Sequence, residues 1–206
     1  MTIIPPLFAL PKSKDNKGLY LFDEKIHLGY FGSFYDGVRS PKPFLDFLLD
    51  LHKVDPTLFD KIQIHFFGQQ NRFSAPLFSA YPTIRRYFIL HGYVDRDTSI
   101  NAMQKMDVLL NFGNTTDYHL PSKVVDLLYI NKPIVNFTAH KNDTTQVFLA
   151  DYDPILNINL SDKTTNYNDV FLDFILKKRS ETQVAFHDMK QYLPENIGEQ
   201  YIKAIE

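Results

Sequence analysis

The stretch Asp107–Phe137 constrains the fold more than any other part of the chain. Val108–Phe112 is a short apolar run of the kind that is buried on both faces in a parallel sheet. Gly113–Leu120 is polar and prone to turns, and Pro121 suits the first turn of a helix. Pro133–Phe137 then returns as a second apolar run. The order strand, loop, helix, strand is typical of one unit of a parallel α/β fold.

The same alternation runs through the rest of the chain. Further strands are expected at residues 26–31, 62–68, 87–92 and 155–158. The spacing of apolar side chains, together with capping residues, predicts helices at residues 44–51, 71–80, 97–105, 142–149, 168–178, 181–192 and 198–205. Short strands that alternate with helices predict an α/β fold. The expected architecture is a Rossmann-like, doubly wound parallel sheet of about six strands with helices on both faces.

The chain divides into three expected segments. Residues 1–25 are linker-like, because Pro5 and Pro6 interrupt an apolar start and a polar, lysine-rich run follows. Residues 26–160 form the Rossmann-like domain, and residues 161–206 supply C-terminal helices that pack on it. A chain of 206 residues is long enough for one such domain with a substantial core.

Charge and residue usage exclude several classes of protein. The chain carries 22 Lys and Arg against 24 Asp and Glu and has no long basic run, so nucleic acid is not an expected partner. It has no cysteine, which excludes disulfides, thiolate metal sites and a cysteine nucleophile. No apolar run approaches the roughly 20 residues of a membrane span, and the start lacks a signal-peptide pattern. A soluble, cytoplasmic protein is therefore expected.

The helix that follows Pro121 begins at a candidate anion site. A helix that opens beyond the carboxyl end of a strand turns its free N–H groups toward the crevice in which doubly wound folds bind ligands. These groups and the helix dipole favour a phosphate, to which Ser122 adds a hydroxyl and Lys123 a positive charge. Asp126 lies one turn beyond Ser122 and offers a carboxylate to sugar hydroxyls. The alternative is an ordinary helix start with a solvated Asp126.

The loop after the first strand offers a second positive group. That strand runs into Gly32, and a glycine there lets a ligand approach the backbone closely. Arg39 follows in the same loop, and its planar guanidinium can bind two phosphate oxygens at once. Gly32 and Gly37 do not complete a dinucleotide-binding fingerprint, which needs a third glycine at the right spacing. The alternative is that Arg39 is a solvated side chain in a mobile loop.

Other chemical motifs are weaker. Asp95–Asp97 and Asp151–Asp153 match a short Asp-x-Asp pattern found in some metal sites, but three-residue patterns recur by chance. Asp95 or Asp97 more simply caps the helix that follows, so no metal is expected. The chain lacks the Gly-x-Ser-x-Gly elbow of serine hydrolases and the Walker glycine–lysine pattern of P-loop kinases. Three histidines fall within strands and are expected to be core or crevice-edge residues: His27, His65 and His91.

Several segments occur in an order and spacing that resemble a known family. They are Tyr30–Arg39, Ile64–Gly68, His91–Val94 and, after a further strand, Leu120–Val135. Their order resembles the carboxyl-terminal, donor-binding half of GT-B glycosyltransferases, especially the retaining enzymes of glycosyltransferase family 4. The resemblance covers residues 26–160. Its most specific part is the Pro-Ser-Lys helix start followed by Lys-Pro-Ile-Val.

The resemblance implies one half of a GT-B fold that binds a nucleotide-sugar, commonly a UDP-sugar, without a metal or another cofactor. It places Gly32, Ser33 and Arg39 near the donor diphosphate. Ser122 and Lys123 would complete the phosphate site. The implied contacts to the rest of the nucleotide are Tyr93 and Val94 for the base, and Asp126 for the ribose hydroxyls.

This sequence departs from the family at two positions. The family often carries two glutamates separated by seven residues; the second falls on Asp126, but the first falls on Tyr118. The usual contact to the transferred sugar would then come from Asp117, Tyr118 or His119, and no catalytic residue is assigned. The usual Gly-Arg pair of the first loop is absent because a serine follows its glycine. The arginine later in that loop would then supply most of the positive charge there.

The resemblance implies a hexosyltransferase-like glycosyltransferase that transfers a sugar to a glycan or lipid-linked acceptor during polysaccharide biosynthesis. An N-terminal acceptor-binding domain is expected to precede this part and is missing, so the isolated chain is expected to be inactive. A membrane-associated acceptor would make the enzyme peripheral at the inner face of the membrane. Two alternatives stay open: a nucleotide-sugar epimerase of the same architecture, and a Rossmann-like binding module without catalysis.

Overall fold

The computed structural model describes Pro6, Phe8, Ala9 and residues 23–162, 164–178 and 189–205. Six strands lie within these residues: Ile26–Phe31 (β1), Ile62–Phe67 (β2), Phe88–Gly92 (β3), Val108–Phe112 (β4), Ile134–Thr138 (β5) and Ile155–Asn159 (β6). They form one sheet in the order β3-β2-β1-β4-β5-β6, and every neighbouring pair is parallel.

The helices of the described residues connect these strands or follow the last of them. They are Lys42–Val54 (α1), Ser74–Ser79 (α2), Pro82–Arg85 (α3), Arg96–Lys105 (α4), Val124–Ile130 (α5), Thr144–Phe148 (α6), Asn168–Lys178 (α7) and Pro194–Ile205 (α8). Pro56–Asp60 and Met189–Tyr192 are short 3₁₀ helices. None of the helices in this part of the chain combines the length and the apolar character that crossing a membrane requires.

Helices cover both faces of the sheet. On one face, Tyr30 and Phe66 belong to a buried cluster with residues of α1, α2, α3 and α7. On the other face, Phe31 and Phe67 belong to a second cluster with residues of α4 and α5. Strands that are buried on both faces read as continuous apolar runs, which explains why their positions were predictable. The prediction of a Rossmann-like, doubly wound parallel sheet of about six strands is confirmed.

Two helix predictions need correction. The helix expected at 71–80 is shorter, Ser74–Ser79, and a separate helix that was not predicted, α3, begins at Pro82. A proline is favoured in the first turn of a helix because its missing N–H would be unpaired there anyway. Pro121 is not part of α5 but opens the turn before it, where the Val124 N–H donates to Pro121 O at 3.1 Å.

The ends of the chain differ in part from the prediction. Of the helix expected at 181–192, residues 181–188 lie outside the described residues, and Met189–Tyr192 is a 3₁₀ helix. The last helix begins at Pro194, four residues before its predicted start at 198. Phe8, from the N-terminal segment, is buried in the second cluster, and its N–H donates to Tyr192 O at 2.9 Å.

The strand order reverses beside β1. The chain adds β2 and β3 on one side of β1 and then returns to add β4, β5 and β6 on the other side. In doubly wound sheets, ligands bind outside the carboxyl ends of the strands at such a point. The loops that follow β1 and β4, residues 32–41 and 113–123, therefore border the candidate ligand crevice.

Candidate functional site

Three glycines bring the carboxyl ends of β1, β2 and β3 close together. The Gly32 N–H donates to Phe67 O at 2.8 Å, and the Gly68 N–H donates to Gly92 O at 2.8 Å. A Cβ atom at Gly68 would lie 2.0 Å from the carbonyl oxygen of Gly32, so a side chain does not fit there. The edge of the crevice beside β1 is therefore formed by closely spaced backbone.

Arg39 is held at this edge by one residue of β1 and one residue of the loop after β4. Its Nη1 donates to the Tyr30 hydroxyl at 3.0 Å. Its Nε and Nη2 both donate to Asn114 Oδ1, at 3.2 and 2.6 Å. A guanidinium has five N–H donors, so two remain for a ligand once the bonds to described residues are counted. Arg39 is therefore an oriented side chain and not a solvated one.

Tyr30 links Arg39 to the backbone of Ser33. Burial raises the pKa of Tyr30, so its hydroxyl keeps the proton that it donates to Ser33 O at 3.3 Å. The same oxygen accepts from Arg39. A Cβ atom on Gly32 would lie 3.6 Å from the Nη1 atom of Arg39. The structure thus brings together the three residues that the resemblance places near a diphosphate in the first loop.

Asn114 is a site residue that the sequence reasoning missed. It lies two residues after the end of β4 and is almost completely buried. Its Oδ1 accepts from Arg39, and its Nδ2 donates to His119 O at 2.9 Å, which ties the loop after β4 to the loop after β1. Thr144 Oγ1 donates to the same carbonyl at 3.1 Å. A polar amide close to the end of a buried strand was the available signal, but asparagine is also common in ordinary turns.

A cleft of about 150 Å³ adjoins Arg39 at the carboxyl ends of β4, β5 and β6. Phe112 and Phe137 give it an apolar wall, and Arg39, Thr115 and Thr138 add polar groups. A site of this composition suits a ligand that has both an anionic part and an apolar face.

Asp126 sits in a buried ion-pair cluster. Its side chain is 10% exposed, and its Oδ2 accepts from Lys123 Nζ at 3.1 Å. Its Oδ1 accepts from Arg96 Nη2 at 2.7 Å. The expectation of a solvated Asp126 is therefore wrong. Two cations already bind its oxygens, although a carboxylate has about four lone-pair sites and keeps capacity for hydroxyl donors.

Arg96 is the second residue that the sequence reasoning missed. It begins α4, where a positive charge is disfavoured by the helix dipole, and this mismatch was the only local signal of a tertiary role. Its guanidinium carbon lies 5.4 Å from the ring centre of Phe8. Arg96 and Asp126 are 30 residues apart, so only the folded chain brings them together.

The segment Ser122–Lys123 lies in the turn before α5. Ser122 is exposed, and Lys123 is half-buried with its ammonium against Asp126. α5 has seven residues and begins at Val124. Some of the backbone N–H groups at this helix start therefore belong to residues of the turn that precedes it. Lys123 and Asp126 therefore form one unit, and Ser122 is open to solvent beside it.

Tyr93 and Val94 follow β3 at the same end of the sheet. Tyr93 is 79% exposed, whereas Val94 packs against the second cluster. The next residue, Asp95, accepts from the Thr98 N–H at 2.9 Å and from Thr98 Oγ1 at 2.8 Å. The prediction that Asp95 caps this helix is confirmed, and the carboxylate is engaged in that role.

The side chains of Asp117, Tyr118 and His119 are exposed in the loop after β4. Within the described residues, none of the three side chains makes a hydrogen bond or an ion pair, although His119 O accepts from Asn114 and Thr144. They are free to contact a ligand, and nothing in the loop orients them as Tyr30 and Asn114 orient Arg39.

Three strand histidines form a hydrogen-bonded chain across β1, β2 and β3. His27 Nδ1 lies 2.9 Å from His65 Nε2, and His65 Nδ1 lies 2.9 Å from His91 Nε2. The His91 ring stacks on Phe67 at 4.0 Å between ring centres. Burial, aided by the two neighbouring imidazoles, lowers the pKa of His65 to about 3. The prediction that these histidines are core or crevice-edge residues is confirmed.

Comparisons with known proteins extend the description of the fold. No family model matches the sequence, and no curated protein matches it. Among solved structures, Anabaena Alr3699/HepE in complex with UDP and glucose aligns with a TM-score of 0.59 at 14% identity, over 88% of this chain and 48% of that chain. WaaG, a glycosyltransferase involved in lipopolysaccharide biosynthesis, aligns with a TM-score of 0.60 at 14% identity, over 87% and 47% of the two chains.

A third structure represents another class of enzyme. It is described as a UDP-N-acetylglucosamine 2-epimerase from Listeria monocytogenes and aligns with a TM-score of 0.54 at 11% identity, over 88% of this chain and 45% of that chain. The chain spans about half the length of each of these structures. It has the fold of one half of a GT-B glycosyltransferase. Identities of this size show the fold alone.

Proposed function

We propose that this chain is the nucleotide-sugar-binding domain of a glycosyltransferase that uses a UDP-sugar as donor. The observation that carries the proposal is the position of Arg39. Tyr30 and Asn114 hold its guanidinium at the carboxyl ends of β1 and β4, with two N–H donors left for an anion. A fixed guanidinium at the point of strand reversal is suited to a diphosphate.

The diphosphate would lie between the loops that follow β1 and β4. In the proposal, Gly32 and Ser33 offer backbone atoms, and Arg39 binds phosphate oxygens in a bidentate manner. Ser122 and Lys123 approach the diphosphate from the turn before α5. Positive groups at this position would stabilise the negative charge that develops on the diphosphate as the glycosidic bond breaks.

Contacts to the base, the ribose and the transferred sugar follow if the diphosphate lies between these two loops. Tyr93 and Val94 would flank the base beyond β3, and Asp126 would accept hydrogen bonds from the ribose hydroxyls while it stays paired to Arg96 and Lys123. The exposed segment 117–119 would contact the transferred sugar, and no residue is assigned a catalytic role. The donor would need no metal or other cofactor.

The whole enzyme is proposed to resemble retaining enzymes of glycosyltransferase family 4. An acceptor-binding domain would precede this chain and present a glycan or a lipid-linked acceptor at the inner face of the membrane, in polysaccharide biosynthesis. One of the similar structures, WaaG, is a glycosyltransferase, and another, Alr3699/HepE, contains UDP and glucose, which supports the proposed class of donor. Without the acceptor domain, the chain should bind the donor and transfer no sugar.

A nucleotide-sugar epimerase is the second candidate, because one similar structure is described as such an enzyme. Epimerisation needs acid and base groups beside the sugar. Asp126 is committed to two cations, and Asp117 is the other carboxylate considered for this site. The two candidates can be separated with a chain that also carries the acceptor-binding domain. If that chain transfers the sugar to an acceptor and does not epimerise the nucleotide-sugar, it is a glycosyltransferase.

Calorimetric titration tests the proposal directly. The chain should bind one of UDP, GDP and ADP saturably, and UDP is expected. Arg39→Ala should weaken this binding by about 10- to 100-fold, because a charge-assisted hydrogen bond to phosphate is worth about 1.5–3 kcal/mol. Lys123→Ala should weaken it as well. Arg39→Lys should give an intermediate affinity because it keeps the charge and loses the bidentate geometry.

Lys53→Ala is the matched control, because Lys53 is an exposed lysine at the end of α1 that pairs only with neighbouring Asp50 among the described residues. Its affinity for UDP should equal that of the unchanged chain. If no nucleotide binds at millimolar concentration, or if Arg39→Ala binds UDP as well as the unchanged chain, the proposed diphosphate site is wrong.

A further inference from the structure

A ladder of buried asparagines crosses the three strands β4, β5 and β6. Asn111 of β4, Asn136 of β5 and Asn157 of β6 lie side by side in register. Asn111 Nδ2 donates to Asn136 Oδ1 at 2.8 Å, and Asn136 Nδ2 donates to Asn157 Oδ1 at 2.8 Å. Asn111 and Asn136 are almost completely buried, whereas Asn157 is half-buried.

Asp143 fixes the direction of this ladder. Its Oδ1 accepts from the Gln146 N–H at 2.9 Å and lies 3.3 Å from Asn136 Nδ2. A carboxylate oxygen only accepts hydrogen bonds, so the nitrogen of the Asn136 amide must face Asp143. The same nitrogen then donates to Asn157, and the Asn136 oxygen faces Asn111. The oxygen of Asn157 is therefore occupied, and its NH₂ group is the free end of the ladder.

The free end of the ladder lies in a polar pocket. We call it the β6 pocket; it measures about 300 Å³ and is lined by Thr138, Lys141, Gln146, Asn157, Asn159 and Tyr167. This volume lies at the lower end of the range for small-molecule sites, about 300–1,000 Å³. The pocket shares Thr138 with the cleft beside Arg39 but lies at the outer strand of the sheet.

Several hydrogen-bonding groups line the β6 pocket and do not hydrogen-bond to one another. Within the described residues, Lys141 Nζ, Asn157 Nδ2 and the Tyr167 hydroxyl have no hydrogen-bond partner, and neither does the side-chain amide of Gln146. The lining carries one positive charge and no carboxylate. A chain of hydrogen bonds that polarise one another strengthens the donor at its end, which here is the NH₂ group of Asn157.

We propose that the β6 pocket binds a sugar that carries an oxyanion, either a carboxylate or a phosphate. Lys141 and the NH₂ group of Asn157 would bind the oxyanion, because together they supply a positive charge and a polarised donor. Gln146, Asn159 and Tyr167 would pair with the hydroxyls, which both donate and accept hydrogen bonds. The pocket has room for a single sugar unit. This inference does not depend on the proposed nucleotide site.

The test is an NMR titration of the full chain with glucuronic acid, glucose 6-phosphate, glucose and inorganic phosphate. At least one of the two charged sugars should bind about tenfold more tightly than glucose and should shift amide signals at residues 138, 141, 157 and 159. The tighter of the two identifies the oxyanion. Equal binding of glucose and the charged sugars would overturn the proposal, and so would binding of inorganic phosphate as tight as that of glucose 6-phosphate.

Asn157→Asp is the most informative variant. Its carboxylate can still accept from Asn136, so the ladder keeps its bond, while the NH₂ donor becomes a negative charge that repels an oxyanion. Binding of the charged sugar should fall at least tenfold in Asn157→Asp and in Lys141→Gln, and should stay unchanged in Lys53→Gln. Unchanged binding in either pocket variant would overturn the assignment. UDP affinity should be the same in all three variants, which separates this inference from the proposed function.

Discussion

Gly68→Ala should destabilise the chain by about 3 kcal/mol, or prevent it from folding. The added Cβ would lie 2.0 Å from the carbonyl oxygen of Gly32 and 2.6 Å from its carbonyl carbon. Both atoms belong to the backbone, so no flexible side chain can move aside to relieve the contact. The ends of β1 and β2 would have to separate, which would strain the hydrogen bonds from Gly32 to Phe67 and from Gly68 to Gly92.

Gly198→Ala is the matched control for this substitution. Gly198 lies in α8, and a Cβ atom there meets nothing within 4 Å. The same chemical change should therefore stabilise the chain by about 0.5–1 kcal/mol, because alanine favours a helix more than glycine does. Urea unfolding of both variants measures the difference. A Gly68→Ala chain as stable as the unchanged chain would show that β1 and β2 do not approach each other as described.

Acidification should lower the free energy of unfolding by on the order of 4 kcal/mol between pH 6.5 and pH 3 through His65 alone. Burial, the main cause, lowers the pKa of His65 from 6.5 to about 3 in the folded chain, and His91 and His27 act in the same direction. Between these two values the unfolded chain binds a proton at His65 and the folded chain does not. The contribution of His65 to the free energy of unfolding is therefore fully present above pH 6.5 and is lost progressively as the pH falls toward 3.

The neighbours of His65 define how this prediction is tested. His27 and His91 bond to its two ring nitrogens, and the Asp23 carboxylate lies beyond His27, 3.4 Å from its Nε2. Urea unfolding at a series of pH values should show a smaller loss of stability in His65→Gln than in the unchanged chain. His119→Gln, which removes an exposed imidazole, should show the same pH dependence of the free energy of unfolding as the unchanged chain. Identical curves for His65→Gln and the unchanged chain would contradict the prediction.

The sheet was predictable because parallel strands buried on both faces leave an unmistakable local pattern. All six strands lie within one or two residues of their expected positions. Helix starts were less predictable. Pro121 is suited equally to a first helical turn and to the turn before it, and only the folded chain places α5 at Val124.

The proximity of some predicted site residues could be foreseen from the sequence because they share one loop. Gly32, Ser33 and Arg39 share one loop, and the structure joins them through Tyr30. Asn114 could not be assigned from the sequence because its role depends on contacts between separate loops. Arg96 likewise acts on a carboxylate that is distant in sequence.

The asparagine ladder also depends on contacts between residues that are distant in sequence, and it could not be predicted for the same reason. Asn111, Asn136 and Asn157 each interrupt an apolar strand, and in isolation each is a weak polar signal. Their joint role depends on strand register, which pairs Asn111 with Asn136 and Asn136 with Asn157. Register is set by the packed sheet and is not visible in any one strand.

The most direct test of the central claim is an amide-resolved NMR titration of this chain with UDP. The account predicts saturable shifts at the crevice: at residues 32 and 33 after β1, at 93 and 94 after β3, and at 122 and 123 before α5. At a UDP concentration near the Kd of the unchanged chain, Arg39→Ala should reduce the size of these shifts by about fivefold or more, in line with its 10- to 100-fold weaker binding. Shifts confined to the β6 pocket, or no shifts at millimolar UDP, would contradict a nucleotide-sugar site at the ends of β1 and β4.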